Sequence, residues 1–135
     1  MFKIAKILNS GKSVPETVKL PVTASTDYSA GSAVALSGGK AAACTATVKP
    51  LYIIAADFKA GDGDYVTAFP VTPDLILEAP VSAAPTSLKV GSTVTLSVSG
   101  SEAVGVTATT TDGVAKIYDL CGAAAAGDKM LVRFL

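Results

Sequence analysis

The chain of 135 residues lacks histidine and tryptophan, and it has only two cysteines. Without histidine, the commonest general base and the commonest nitrogen ligand for metals are both missing. Most catalytic triads are thereby excluded. A serine or cysteine nucleophile with a lysine base remains as an arrangement, but no known local signature surrounds either cysteine. We therefore predict that the protein is not an enzyme and that its function lies in what its surface binds.

The chain also lacks an excess of charge of either sign, because 11 basic residues balance 11 acidic ones. Lysines and aspartates are interspersed, so the sequence offers no basic patch for nucleic acid and no polybasic membrane anchor. No apolar run is long enough to span a bilayer, and residues 1–8 contain no signal-peptide core. We expect a soluble protein that is made in a cytoplasm and binds neither nucleic acid nor membrane.

The two cysteines, Cys44 and Cys121, lie in alanine-rich segments without the spacing of a metal or redox motif. Two cysteines are enough for one disulfide. Free cysteines are among the most frequently buried residues, which favours two buried free thiols as the interpretation.

The abundant residues are alanine, valine, threonine, serine and glycine, which favour short strands and tight turns over long helices. From Gly31 onward, short runs with period-two alternation are separated by glycine, proline or aspartate. Residues 123–126 favour a helix but are too few to form more than a turn. We predict one all-β domain, a small barrel or sandwich. The predicted strands are 32–37, 43–48, 51–56, 64–69, 75–79, 93–98, 103–109, 114–120 and 129–134.

Residues 1–28 lack sustained alternation, and Pro15 and Pro21 interrupt them. We predict an extended N-terminal arm with one short strand near residues 16–22, followed by a β domain over residues 29–135. Four apolar side chains of the arm are candidate interface residues. They could cover one end of the same domain or reach a neighbouring subunit. These residues are Phe2, Ile4, Ile7 and Leu8.

Short segments in the first half of the sequence resemble segments in the second half, and we call this similarity the internal echo. Residues 31–36 (GSAVAL) match residues 91–96 (GSTVTL), and residues 60–62 (AGD) match residues 126–128 (AGD). This order of elements predicts two copies of one β unit, over residues 29–79 and 89–135. Independent convergence on common turn sequences is the alternative. Further matches pair Leu51 and Tyr52 with Ile117 and Tyr118, and Phe69 with Phe134.

Four glycines of the echo mark predicted structural turns. Glycine has no Cβ and adopts positive φ without a steric clash, which tight turns require. The four are Gly31, Gly61, Gly91 and Gly127.

Ligand motifs are weak throughout the chain, and we predict neither a metal nor another cofactor. Residues 37–41 (SGGKA) lack the upstream glycine and the hydroxyl residue of a phosphate-binding loop, so a hairpin turn explains them better. Asp57, Asp62 and Asp64 could contribute oxygen ligands to calcium, but the other ligands of an EF-hand are missing. Solvated turn carboxylates are the better interpretation of these aspartates.

Residues 50–62 (PLYIIAADFKAGD) and 65–69 (YVTAF) together resemble the small decoration, or cement, proteins of tailed-phage heads. Residues 113–134 resemble the same pattern again. The resemblance implies a structural virion protein on the capsid surface that binds the major capsid protein, often as a homotrimer. It also implies that the protein stabilises the head against internal pressure. On this reading the four apolar residues of the arm would contact the capsid or another subunit.

Two other functions stay open at this point. A virion fibre or tail component that binds host-surface glycans would have a similar β-rich composition. Such a protein usually presents a larger aromatic platform than four tyrosines provide, and Tyr52 and Tyr118 are better explained by core packing. A small hydrolase with an unrecognised serine is the third alternative.

Overall fold

The computed structural model describes residues 1–8, 10, 15–23 and 25–135. These residues form twelve strands and no helix. The strands are β1 (Lys3–Ile7), β2 (Val18–Pro21), β3 (Ala33–Ser37), β4 (Lys40–Ala42), β5 (Tyr52–Ile54), β6 (Tyr65–Pro70), β7 (Leu75–Pro80), β8 (Thr93–Val94), β9 (Leu96–Ser99), β10 (Glu102–Val106), β11 (Ala115–Asp119) and β12 (Lys129–Phe134).

The strands form two antiparallel sheets. One has five strands in the order β1-β7-β12-β11-β8, and the other has the order β2-β6-β5-β3-β10-β9, with β4 paired to β3. The sheets make a sandwich-like fold that does not close into a barrel. The all-β prediction is therefore confirmed, and of the two predicted architectures the sandwich is the correct one.

Two clusters of buried side chains form the core. The larger one joins Phe2 to the inner residues of β7, β8, β11 and β12, and it also takes Ala33 and Ile53 from the other sheet. The smaller one lies on the opposite face of the seven-stranded sheet, where Tyr28 and Phe58 cover it with rings 6.1 Å apart. The seven-stranded sheet is therefore covered on both faces over β5 and β6.

The two halves of the chain contain matching glycine turns. In each, the glycine N–H donates to an isoleucine carbonyl, and the isoleucine N–H donates to the carbonyl of the serine that follows the glycine. All four distances lie between 2.8 and 2.9 Å. The residues are Gly31, Ser32 and Ile54 in the first half, and Gly91, Ser92 and Ile117 in the second.

The strand order also repeats, since β2-β6-β5-β3 corresponds to β7-β12-β11-β8. The first unit therefore runs from β2 to β6 and the second from β7 to β12, and the predicted limits of 29–79 and 89–135 differ from these. Tyr52 starts β5 opposite the last residue of β6, and Ala115 starts β11 opposite the last residue of β12. The predicted match of Tyr52 with Tyr118 therefore differs from the structural one, which is with Ala115.

The first 28 residues differ from the predicted arm. β2 falls where the short strand was expected, but β1 was not predicted, and it pairs with β7 in the five-stranded sheet. The register of β1 shifts between Ile4 and Lys6, which is why its apolar residues show no regular alternation. The N-terminus is thus built into the β body. Residues 9, 11–14 and 24 of the predicted arm lie outside the described residues.

Residues 43–48 were predicted as a strand and are a loop. The Val48 N–H donates to the Thr45 carbonyl over 3.2 Å, which is a turn, and Ala46 accepts from the Leu96 N–H. The strand that pairs with β3 here is β4, which begins three residues earlier and follows the turn at Gly38 and Gly39. The predicted hairpin turn at residues 37–41 is thus present.

Candidate interaction surface

The four predicted interface residues pack to different degrees against their own chain. Phe2 is buried in the larger core, with its ring edge-on to Phe134 at 5.4 Å between centroids. Ile4 and Ile7 are half-buried and pack against the same core. Leu8 is also half-buried, and its N–H donates to the Asp74 carbonyl over 2.9 Å. Much of the apolar surface proposed for an interface therefore already contacts this chain.

All four glycines of the echo adopt positive φ, the conformation for which the sequence favours glycine. The values are 86° at Gly31, 95° at Gly61, 89° at Gly91 and 91° at Gly127. Gly31 differs from the others in its surroundings, because its carbonyl accepts the Phe2 N–H over 2.7 Å. This bond ties the N-terminal residues to the turn of the first unit.

Two aspartates of the first half accept hydrogen bonds from backbone N–H groups. Asp57 Oδ1 accepts the Ala30 N–H over 2.8 Å, and Asp62 Oδ2 accepts the Lys59 N–H over 2.9 Å. Within the described part of the chain, no group of three or more acidic or cysteine side chains could hold a metal ion. The Asp62 carboxylate thus closes a turn of its own loop, whereas the Asp57 carboxylate joins its loop to a residue 27 positions earlier.

The cysteines are both free, but they lie in different environments. Cys44 is buried, and its burial raises the pKa of the thiol to about 11. Cys121 is exposed, which corrects the expectation of two buried thiols. Partial burial, followed by the nearby Asp119 carboxylate, raises the pKa of the Cys121 thiol as well. Both thiols therefore stay protonated at neutral pH.

We expect a thiol reagent at pH 8 to modify Cys121 in the folded protein and to leave Cys44 unmodified, because attack needs both access and a thiolate. After denaturation both thiols should react. Cys121→Ser should abolish the reaction of the folded protein, and Cys44→Ser should leave it unchanged. Mass spectrometry measures the reaction rate of each thiol. Equal rates for the two thiols in the folded chain would contradict the difference in burial.

One sheet edge stands out when the two units are compared. β2 pairs with β6 alone among the strands that the structure describes, whereas β7, its counterpart, pairs with β12 on one side and β1 on the other. The Val22 N–H donates towards β6, to Asp64. Because backbone groups alternate in direction along a strand, Lys19 and Thr17 point their N–H and C=O groups away from β6.

Apolar side chains accompany this free backbone. Val18 is 38% exposed and Tyr65, on the neighbouring β6, is 60% exposed. Leu77, which occupies the position of Val18 in the second unit, is 0% exposed, because it lies in the larger core and Ile4 of β1 lies opposite it. We define the β2 edge as the outward backbone of residues 17–19 with the side chains of Val18, Lys19, Pro21 and Tyr65.

Lys19 provides the charge of the β2 edge. Its side chain is exposed, and its Nζ donates to Thr67 Oγ1 on β6 over 2.9 Å. Lysine and proline are residues that natural edge strands use against indiscriminate pairing. With Pro21 lacking an N–H, the edge accepts a new strand over a short length only.

The sequence contains a signal that could have located the strand β2 within the repeat. Pro21 ends β2 in the first unit and is followed by Val22, and Pro80 ends β7 in the second unit and is followed by Val81. In both places the valine N–H donates to an aspartate carbonyl, over 3.0 Å to Asp64 and over 2.9 Å to Asp128. Matching these Pro-Val pairs would have extended the echo back to β2.

Two shallow grooves lie elsewhere on the surface. One has a volume of about 380 Å³ and is lined by Thr23, Thr26, Lys40 and Tyr28, whose O–H already donates to the Ala41 carbonyl over 3.3 Å. The other, about 280 Å³, lies between β1 and the strands β5 and β6. Ser37 and Ser101 line the first groove together with Lys40.

No protein-family model and no curated protein matches this chain. Among the described residues, no helix is long and apolar enough to cross a membrane.

Proposed function

We propose that the protein is a structural virion protein that docks onto an assembled capsid lattice as a decoration protein. The observation that carries this proposal is the β2 edge, the side of β2 that no described strand pairs with, together with the exposed side chains of Val18 and Tyr65. The resemblance of residues 50–62 and 65–69 to head decoration proteins supplies the capsid as the partner. The homotrimer that the resemblance implies stays a prediction.

An unpaired strand edge is suited to docking because it offers backbone hydrogen bonds to any extended segment, while nearby side chains select among segments. A single contact of this kind is weak. On a lattice, many copies bind side by side, and linked contacts raise the overall affinity well above that of each one. A compact β body with such an edge therefore fits a protein that binds an assembled shell more tightly than its separate subunits.

The built-in N-terminus changes which surface we expect to dock. Because Phe2 is buried and β1 is a strand of the five-stranded sheet, residues 1–8 act in stability. The β2 edge lies in the other sheet. We therefore place the capsid contact at the β2 edge.

The test is co-sedimentation of the purified protein with preassembled heads of the virus that encodes it. We expect stoichiometric binding by the native chain. The variant Val18→Asp should bind at least about tenfold more weakly, which corresponds to roughly 1.4 kcal/mol, because it places a charge within the docking contact. Val90→Asp is the matched control, since Val90 is 65% exposed in the glycine turn of the second unit.

Circular dichroism should show the same β spectrum for both variants. If the native protein ignores heads, the decoration function must be abandoned, and binding of host-surface glycans becomes the next function to test. If both variants bind like the native chain, the protein docks through another surface.

A further inference from the structure

The edge strands β2 and β7 occupy the same position in the two units but have different neighbours. In the second unit, β1 covers β7 with the register Lys3 opposite Glu78 and Ile4 opposite Leu77. In the first unit, β2 has no such neighbour among the described residues. The pairing of β1 with β7 in the second unit thus shows what kind of strand would fit the β2 edge of the first unit.

The backbone groups of the open edge match those that β1 uses. The carbonyl of Asp74 accepts the Leu8 N–H, and Ile76 and Glu78 share its direction along the strand. The corresponding residues of the first unit are Pro15, Thr17 and Lys19. Proline retains its carbonyl, so the acceptor used at Asp74 is present at Pro15 as well.

The side-chain charge is reversed between the two edges. Glu78 lies opposite Lys3, and the Lys129 Nζ is 3.3 Å from its Oε1, so the covered edge pairs an acid with basic residues. Lys19 occupies the position of Glu78. Because opposite charges on directly opposed residues stabilise antiparallel pairs and like charges destabilise them, the open edge requires an acid where β1 has a lysine.

We propose that the β2 edge binds an extended segment of a second protein, antiparallel to β2, with an acidic residue opposite Lys19 and an apolar residue opposite Val18. This proposal rests on the proposed function, since it specifies the chemistry of the partner at the docking surface. The apolar residue would cover the exposed part of Val18, because side chains directly opposed in an antiparallel pair contact each other.

The same charges argue against β1 of a second copy as the occupant. In the register that β1 has on β7, Lys3 would lie opposite Lys19. Two lysines directly opposed across a strand pair repel each other. The edge thus discriminates against this chain's own first strand, which prevents copies from pairing before they meet the partner.

The test uses two synthetic peptides of residues 1–8, one with the native sequence and one with Lys3→Glu. Each is titrated into the full-length protein labelled with ¹⁵N, and the backbone amide resonances are followed. We expect the Lys3→Glu peptide to shift the amides of Thr17 and Lys19 and to bind about three to five times more tightly than the native peptide. In the Lys19→Glu protein, the preference should reverse.

The reversal separates a strand that pairs at this edge from nonspecific binding of an apolar peptide. Peptides with N-methyl groups on the amides that face β2 should not bind, because they lose the backbone donors. The proposal is overturned if Thr17 and Lys19 do not shift, or if the preference does not reverse with Lys19→Glu. Equal binding of the native peptide would assign the edge to a second copy and overturn the acidic partner.

Co-sedimentation with heads tests the proposed function independently. If the native protein binds heads and Lys19→Glu binds them equally well, the decoration function stands and the acidic partner segment is wrong. If the peptides show the reversal but the native protein does not bind heads, the edge binds an acidic strand from another assembly, and the decoration function falls.

Discussion

Replacing Phe2 by alanine is expected to lower the free energy of unfolding by about 3 to 5 kcal/mol, the usual cost of removing a buried aromatic side chain. Phe2 is 3% exposed, and its ring meets Phe134 edge-on within the larger core. The loss of this ring would leave a cavity beside Phe134, the last residue of β12. The residue that the sequence placed in an arm should therefore behave as a core residue.

Chemical denaturation of Phe2→Ala and of Leu51→Ala measures this effect. Leu51 is 42% exposed, so its truncation should change the free energy of unfolding by much less. Deletion of residues 1–8 should destabilise at least as much as Phe2→Ala, because it also removes the pairing of β1 with β7. A deletion variant as stable as the full chain would show that the N-terminus is an independent arm after all.

The variant Gly31→Ala is expected to destabilise the fold by roughly 2 to 6 kcal/mol, through two effects. The positive φ of 86° costs about 1 to 3 kcal/mol for a residue with a Cβ. The added Cβ would also lie 2.7 Å from the Phe2 carbonyl oxygen and 2.9 Å from the Met1 Cβ. Overpacking of this kind typically lowers the free energy of unfolding by about a further 1 to 3 kcal/mol.

Gly91→Ala is the matched control for this variant. Gly91 has the same place in the second unit, a φ of 89°, and no atom within 4 Å of an added Cβ. Its substitution should therefore show the φ effect alone, and the difference in melting temperature between the two variants measures the contact with the N-terminus. Equal destabilisation would mean that residues 1 and 2 move aside without cost.

The predictable part of the fold is the part where alternation and burial coincide. β12 alternates between exposed or half-buried and fully buried residues, and its predicted limits of 129–134 are those observed. The sequence of residues 43–48 alternates as well, but Cys44 is buried in a loop. The backbone of this loop forms a turn between Thr45 and Val48, and its Ala46 carbonyl accepts a hydrogen bond from β9. Alternation alone does not distinguish these cases, because a side chain can be buried without its backbone pairing.

The similarity of the two halves could be predicted from their turn residues, but the alignment of their strands could not. The Lys59 N–H donates to Asp62 Oδ2, as the Ala125 N–H donates to Asp128 Oδ2, so sequence matching aligns these two aspartates. Strand pairing aligns Asp128 with Asp64 instead. The first unit holds two more residues between its turn and its strand, and short-range sequence patterns do not show where strands pair.

The β2 edge could not be predicted from the sequence, because an edge is defined by what lies beside it. Val18 and Lys19 would have the same sequence whether or not a strand covered them. The strand that covers the corresponding edge, β1, is separated from β7 by some seventy residues of chain. Long-range pairing of this kind depends on the whole topology.

The position of Phe2 against Phe134 also bears on the order in which the protein folds during synthesis. The first strand leaves the ribosome early, but its partner β7 starts at Leu75, and the ring that packs on Phe2 comes from the end of β12. The five-stranded sheet therefore cannot close until the last strand has been made. Until then Phe2, Ile4 and Ile7 are exposed on the nascent chain, a period in which chaperones or premature association would act on them.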